Sequence, residues 1–252
     1  VDGVRFCMAS ESTALQIIGF EYVRDVAPGE FIWIDPEGTL HSRVCFKQMS
    51  LRQTCMFEWV YFSAPESVVD GLSVYGARLE LGRRLAPKIR ERMTKLEWTP
   101  DIVCPIPDTS RPATIALAET LQIPYREVFM KNIDVQRTFI LGTQSERERA
   151  VIDKLSPIAS EITGRDILLV DDSIVRGTTS KKLVSLLRQY GATRVSLAVS
   201  CPPIKNPCVY GIDFPSAQEL LANDKTTADI AAWIGVDQLI YLEESDLIAV
   251  MG

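Results

Sequence analysis

Residues 167–180 read ILLVDDSIVRGTTS, and this stretch decides the fold. Ile167, Leu168, Leu169 and Val170 form a continuous apolar run, the pattern of a strand buried on both faces of a parallel sheet. Two adjacent acids follow, Asp171 and Asp172. Then come Gly177, Thr178, Thr179 and Ser180, opening a helical pattern that stops at Gly191. Ligands of open α/β sheets lie beyond the carboxyl ends of the strands. A loop that enters a helix there presents free backbone N–H groups and the positive end of the helix dipole. Gly177 permits close backbone approach and the three hydroxyls add donors, so the loop suits a phosphate dianion. The acids need another partner, because a carboxylate beside a phosphate repels it unless it faces sugar hydroxyls or a metal ion. A ribose offers hydroxyls, and pyrophosphate brings Mg²⁺, whose preferred ligands are carboxylate and phosphate oxygens. The combination fits an activated ribose 5-phosphate better than a nucleoside triphosphate, for which a Walker loop would end in GK[ST]. The plainer reading is a strand–turn–helix with a solvated acidic turn. Strand, acid pair, glycine, hydroxyls and helix coinciding within fourteen residues weigh against it.

On both sides of this stretch, short apolar strands alternate with helices. Strands are predicted at 102–106, 125–130, 195–200 and 238–242. Helices are predicted at 73–92 (Tyr75, Leu79, Leu85 and Ile89 among its apolar positions), 112–121, 180–190, 217–223 and 227–235. That alternation predicts an α/β fold with a parallel sheet flanked by helices. Residues 131–154 are polar, charged and weakly periodic, which predicts a long loop. Residues 1–46 are different in kind and read as β-rich. A short helix at 13–19, capped by Ser10 or Ser12, precedes a hairpin whose strands, 29–34 and 39–46, flank the turn Asp35-Pro36-Glu37-Gly38. A hairpin and one helix lack a core of their own, so this part is expected to lean on something else.

The 252 residues suit one large domain, or one domain with a small appendage. Hydrophobic residues at 46% and charged residues at 24% are ordinary for a globular chain long enough to bury a core. The net charge of −6 argues against nucleic acid or an anionic membrane surface as partner. No apolar run approaches the roughly 20 residues that span a bilayer. The opening VDGVRFCMASES carries no basic segment followed by an apolar one, so no signal peptide is expected. Val1 is not a start residue, and a fragment or a processed chain is expected. Cys7, Cys45, Cys55, Cys104, Cys201 and Cys208 form no CxxC pair. That predicts reduced, mostly buried thiols in a cytoplasmic setting rather than a disulfide framework. His41 reads as a surface residue, the acids at 243–246 as a solvated turn, and Arg147 and Arg149 as one charged loop face.

The segment VDDSIVRGTT resembles the signature of type I phosphoribosyltransferases. Further segments resemble, in order, the amidophosphoribosyltransferase family, the glutamine-dependent first enzymes of purine synthesis. They are CMFEWVYF at 55–62, PIPDTS at 105–110, KNIDVQRTFI at 131–140 and PPIKNPCVYGID at 202–213. Residues 8–46 resemble the closing part of that family's glutaminase domain. The resemblance implies a type I phosphoribosyltransferase fold at 49–252, behind the tail of a glutaminase-like domain at 1–48. It implies that Thr109, Asp171 and Asp172 hold Mg²⁺ and the ribose hydroxyls of 5-phosphoribosyl 1-pyrophosphate (PRPP). Ser173, Arg176 and Gly177 would continue the loop, and Thr178, Thr179 and Ser180 would bind the 5-phosphate. Lys131, Arg137 and Thr138 match a lid over the pyrophosphate, with Lys131 and Arg137 joining Asp171 and Asp172 in catalysis. The implied reaction joins ammonia, glutamine-derived in the full protein, to C1 of the ribose as pyrophosphate leaves. The family also implies a homo-oligomer, inhibition by purine nucleotides and, in a longer parent protein, a [4Fe–4S] cluster, for which Cys55 and Cys208 match two of four ligand positions.

Three departures bear on this. The family's nucleophile is an N-terminal cysteine activated by its own amine; Val1 is not that residue and Cys7 is not terminal, so glutamine hydrolysis is not expected from this chain alone. The family lid reads KNRYVGRTFI, and here Ile133, Asp134 and Gln136 stand in place of arginine, tyrosine and glycine. Exchanging a cation for an anion weakens a pyrophosphate site by about 1–3 kcal/mol. The second pair of cluster cysteines is missing. Two alternatives therefore stand beside the enzyme reading. One is a PRPP-binding regulatory module with little turnover; the other is a base-salvage phosphoribosyltransferase, which would need an aromatic stacking hood with no clear candidate here.

Overall fold

The computed structural model describes residues 5–46, 54–131, 155–212 and 216–252. The chain divides into two compact units, Val1–Ala77 and Arg78–Gly252. The boundary expected between residues 48 and 49 lies outside the described residues, as do Arg137, Thr138, Arg147, Arg149 and the lid positions Ile133, Asp134 and Gln136.

In the first unit, α1 spans Ser12–Ile17. Strands β1 (Glu30–Ile34) and β2 (Leu40–Val44) form the expected antiparallel hairpin, pairing Phe31 with Arg43 and Trp33 with His41. His41 Nε2 lies 2.6 Å from Asp35 Oδ2, and its ring stacks on Trp33 at 4.9 Å between centroids. The expected serine cap of α1 is absent. Glu11 occupies the N-cap position, while Ser12 is buried and its Oγ accepts the Val68 N–H at 2.8 Å. The aromatic run at 55–62 ends in a π-helical turn, Glu58–Phe62, followed by the small hairpin β3 (Val68–Val69) and β4 (Leu72–Ser73).

The second unit is built on four parallel strands: β5 (Ile102–Pro105), β8 (Asp166–Asp171), β9 (Arg194–Val199) and β10 (Gln238–Tyr241). Their order across the sheet is β10-β9-β8-β5. Ile167 through Val170 are fully buried, as an apolar run between parallel neighbours requires. Helix α3 (Arg111–Leu121) packs on β5, α5 (Thr178–Gln189) on β9 and α6 (Thr227–Ile234) on β10. The short α4 (Ala159–Ile162) leads into β8. After α3 the chain returns to the outer edge of β5, where Tyr125 bridges Val103. The units from β8 onward build away on the other side of β5. The direction of winding therefore reverses between β5 and β8, and ligand crevices of open α/β sheets form at such a reversal.

Three expectations are corrected. The strand predicted at 125–130 is split: Pro124 C=O and Arg126 N–H bond to Val103, after which the chain leaves the sheet. Phe129–Lys131 (β6) pairs antiparallel with Leu155–Pro157 (β7) instead. The helix predicted at 217–223 is a single 3-10 turn, Ala217–Glu219, because Leu221 N–H bonds to the Val175 carbonyl and pulls the chain straight. The acids at 243–246 start helix α7 (Glu244–Met251), with Glu244 and Asp246 in the first turn, where the helix dipole favours negative charge. Among the described residues no helix is long and apolar enough to cross a membrane.

Helix α2 (Val74–Leu96) begins one residue after its expected start and buries Leu81, Leu85 and Ile89, whereas Tyr75 is exposed. Gly82 marks its closest approach to α3. A Cβ there would overlap the Ala113 carbonyl oxygen and lie 2.8 Å from its carbon. Helix propensity alone would favour Gly82→Ala by about 1 kcal/mol. The expected outcome is the opposite, a loss of about 1–3 kcal/mol from overpacking against backbone. A lower urea midpoint at unchanged slope would show it.

Candidate active site at the end of β8

Strand β8 delivers Asp171 as its last residue and Asp172 just beyond it, at the reversal between β5 and β8. Both are buried, at 8% and 9% exposure. Asp171 Oδ1 accepts the Asp172 N–H at 3.0 Å, and Asp171 Oδ2 faces the Ser180 hydroxyl at 3.4 Å. Ser173 Oγ donates to Asp172 Oδ1 at 2.8 Å. Burial pushes the Asp171 carboxyl well up, and the adjacent Asp172 pushes it further. Burial likewise raises Asp172, to about 6, against the opposing hydrogen bond from Ser173 and the nearby Arg78 guanidinium. Two buried acids this reluctant to ionise gain most from a cation or from hydroxyl donors.

The loop then carries the chain into α5. Ile174 is buried and pins it. Gly177 sits at the N-cap with φ +73°, the left-handed region, and its α face is closed: a Cβ would overlap Leu221 Cδ2 and lie 2.9 Å from Trp233 Cζ3. By helix geometry the first N–H groups of α5 have no intrahelical acceptor. Thr178 and Thr179 are exposed beside them. Ser180 is not. It is 2% exposed, on the stripe that also buries Leu183, Val184 and Leu187, so its hydroxyl supports Asp171. Of the three hydroxyls expected on a phosphate, two face outward. Arg176 Nε donates to Glu219 Oε2 at 3.1 Å.

The opposite wall is the loop after β5. Ile106 N–H bonds to the Val170 carbonyl at 2.8 Å, which ties the start of this loop to the strand end that bears the acids. Thr109 lies half-buried in it. Lys131, at the end of β6, reaches the same loop, its Nζ donating to Asp108 Oδ2 at 2.6 Å. Thr109, Asp171, Asp172 and the 173–180 loop thus lie at the carboxyl ends of the neighbouring strands β5 and β8, and Lys131 joins them from β6 through Asp108. Cys55 lies in the first unit and Cys208 in the second; both are half-buried, and Cys208 Sγ accepts the Tyr210 N–H.

Sequence reasoning passed over Arg78, Asp108 and Arg111. Arg78 left a signal, being a charged residue at the spacing of the buried positions Val74, Ala77, Leu81 and Leu85. Asp108 lies within the PIPDTS segment and Arg111 directly after it, but they acquire meaning only through Lys131 and Glu127, partners distant in sequence.

Oxygen donors of this kind fit Mg²⁺. Two buried carboxylates are the usual protein share of a Mg²⁺ site whose remaining ligands are substrate phosphates and water. Among the described residues no group of three or more His, Cys, Asp or Glu is placed to hold a metal ion.

Residues 73–215 match the family model of the phosphoribosyl transferase domain, and the chain belongs to that family. It has the type I phosphoribosyltransferase fold. Within the family it is similar to amidophosphoribosyltransferases. It is 46% identical to that of Pseudomonas aeruginosa over 252 residues, covering 100% of this chain and 50% of the relative. It is 45% identical to that of Escherichia coli over 243 residues, covering 96% and 48%. Among solved structures, the glutamine phosphoribosylpyrophosphate amidotransferase from B. subtilis complexed with ADP and GMP aligns with TM-score 0.83 at 40% identity, over 96% of this chain and 51% of that one. The chain spans about half the length of the relatives it matches.

Proposed function

We propose that this chain carries the phosphoribosyl-transfer half of an amidophosphoribosyltransferase of purine synthesis, making 5-phosphoribosylamine from PRPP and ammonia. The observation that carries this is the buried Asp171–Asp172 pair leading into the Gly177 helix start at the sheet reversal, in a chain 46% identical to such an enzyme. Asp171 and Asp172 would take the ribose hydroxyls and share the metal ion with Thr109. Thr178 and Thr179, with the N–H groups of α5, would hold the 5-phosphate. Mg²⁺, when bound, supplies positive charge to the departing pyrophosphate oxygens. The ammonia nitrogen forms a bond to C1 as the C1–oxygen bond to pyrophosphate breaks. A proton from the new ammonium leaves to solvent. Lys131, and by family likeness Arg137, would neutralise the leaving group, and exclusion of water would protect a transition state of oxocarbenium character. Glutamine hydrolysis is not expected of this chain alone. A homo-oligomer, a cytoplasmic location, inhibition by purine nucleotides and, in a longer parent protein, the cluster belong to the same reading.

Pyrophosphate release from PRPP with Mg²⁺ and ammonium tests it. Release that needs ammonium and gives no increment with glutamine is the expected result. PRPP binding without release would refute the enzyme reading and favour a regulatory module, which the lid substitutions Ile133, Asp134 and Gln136 would suit.

A further inference from the structure

Asp108 is bracketed by two cations. Lys131 Nζ donates to its Oδ2 at 2.6 Å, and Arg111 Nη1 pairs with its Oδ1. The two cations are held differently. Arg111 is fixed from behind: its Nε donates to Glu127 Oε1 at 2.9 Å, and the same oxygen accepts the Tyr125 hydroxyl at 2.6 Å. Tyr125 in turn is anchored to the sheet by its bridge to Val103. The guanidinium therefore stays, with its Nη1 end pointing at the loop after β5. Asp108 is the looser member, with a side chain 43% exposed on that loop. It stands next to Thr109 and across the sheet reversal from Asp171.

We propose that Lys131 and Arg111 form the seat of the pyrophosphate group, and that in the free protein Asp108 fills this seat with its own carboxylate. This rests on the phosphoribosyl-transfer reading above and adds Arg111 as a binding residue and Asp108 as an internal competitor. Geometry and charge carry it. A carboxylate gripped by an ammonium on one oxygen and a guanidinium on the other takes the place of one phosphate group, because both anions offer paired oxygens to the same donors. With Glu127 already on Arg111, Asp108 is a second carboxylate on that guanidinium and also meets the Lys131 ammonium, an anion that a phosphate group can replace. The incoming pyrophosphate displaces Asp108, and as product leaves the carboxylate returns. Asp108 touches neither substrate nor reacting atoms in this scheme. It is a positioning residue that sets how tightly the leaving group is held.

The opposing reading is that Asp108 holds Lys131 in its working place, and it predicts the opposite sign. In Asp108→Asn, inorganic pyrophosphate, measured as a product inhibitor and by direct titration with Mg²⁺, is expected to bind about three- to tenfold more tightly, the worth of one partly exposed charged hydrogen bond. The KM for PRPP is expected to fall with it, and kcat to stay level or drop as release slows. Arg111→Gln is expected to weaken pyrophosphate binding. In the double variant Asp108→Asn/Lys131→Ala the gain is expected to shrink, because one of the two cations it freed is gone. Pyrophosphate bound no more tightly, or more weakly, by Asp108→Asn than by the unaltered protein overturns this inference alone. An unaltered protein that binds neither PRPP nor pyrophosphate overturns the phosphoribosyl-transfer reading as well. Tighter pyrophosphate with unchanged PRPP affinity restricts the seat to the free product and overturns its role for the substrate.

Discussion

Pyrophosphate release from PRPP and ammonium is expected to fall by about two to four orders of magnitude in Asp171→Asn, while the protein without ligands becomes more resistant to heat at pH 8. The two effects share one cause. Asp171 and Asp172 are adjacent carboxyls with almost no solvent contact, and burial raises both. A raised acid binds its proton more tightly in the folded state than in the unfolded chain. Its contribution to stability is therefore fully present below the unfolded value of 3.8 and is lost as pH rises through the folded value, about 6 for Asp172. At pH 8 the stabilisation from the Asp172 proton is gone, and ionising Asp171 beside it is disfavoured by burial and by its neighbour. Asparagine removes one of the two carboxyls. Its Oδ1 still accepts the Asp172 N–H, and its amide can donate to the Ser180 hydroxyl in place of the bond that Asp171 accepts. A rise in melting temperature of about 2–8 °C at pH 8 is expected, shrinking to nothing near pH 4. Thermal melts of both proteins across that range, without Mg²⁺, check the stability half. A lower melting temperature for Asp171→Asn at pH 8 would mean that the carboxylate is already paid for by contacts within the fold, and retained activity would remove Asp171 from the site.

That trade of stability for a binding site was legible in residues 167–180 because every signal there is local. The apolar run, the acid pair and the glycine each act through neighbours within a few positions, so composition and spacing suffice. The same holds for the hairpin at 30–44 and for α6, whose capping box between Thr226 and Asp229 spans three residues. What sequence could not provide is pairing at a distance. Lys131 meets Asp108 across 23 residues and Arg176 meets Glu219 across 43, and neither partner has a local pattern that names the other. Ser180 shows a subtler limit. A hydroxyl in the first turn of a phosphate-facing helix reads as a ligand contact, but which face of α5 turns inward is decided by packing of Leu183, Val184 and Leu187. Tertiary packing likewise overrode propensity at 217–223, where one bond to Val175 ends the helix.

Gly177→Ala carries the second large effect, a loss of PRPP affinity of about 100-fold or more, well beyond that of Thr178→Ala. Two costs that a glycine at positive φ usually merges are separable here. Left-handed backbone costs an alanine about 1–2 kcal/mol wherever it occurs. Gly164 measures that term alone, since its φ is +75° and a Cβ there meets nothing within 4 Å. At Gly177 the φ is nearly the same, +73°, but the Cβ would overlap Leu221 and press on Trp233. Trp233 cannot yield freely, because the Lys181 ammonium sits 4.3 Å from its ring centre. Leu221 is buried and its backbone N–H bonds to Val175 within the same loop, which leaves its side chain little room to move. The loop itself must therefore shift, and with it the first N–H groups of α5. Charged hydrogen bonds from those groups to a phosphate are worth about 1.5–3 kcal/mol each and depend steeply on alignment. Losing the alignment of two of them accounts for the expected factor. Titration of Gly177→Ala and Gly164→Ala with PRPP and Mg²⁺, alongside urea denaturation of each, distinguishes the costs: a larger stability loss and a far lower affinity are expected for Gly177→Ala, and equal affinities would show that the loop tolerates displacement and that the phosphate is held elsewhere.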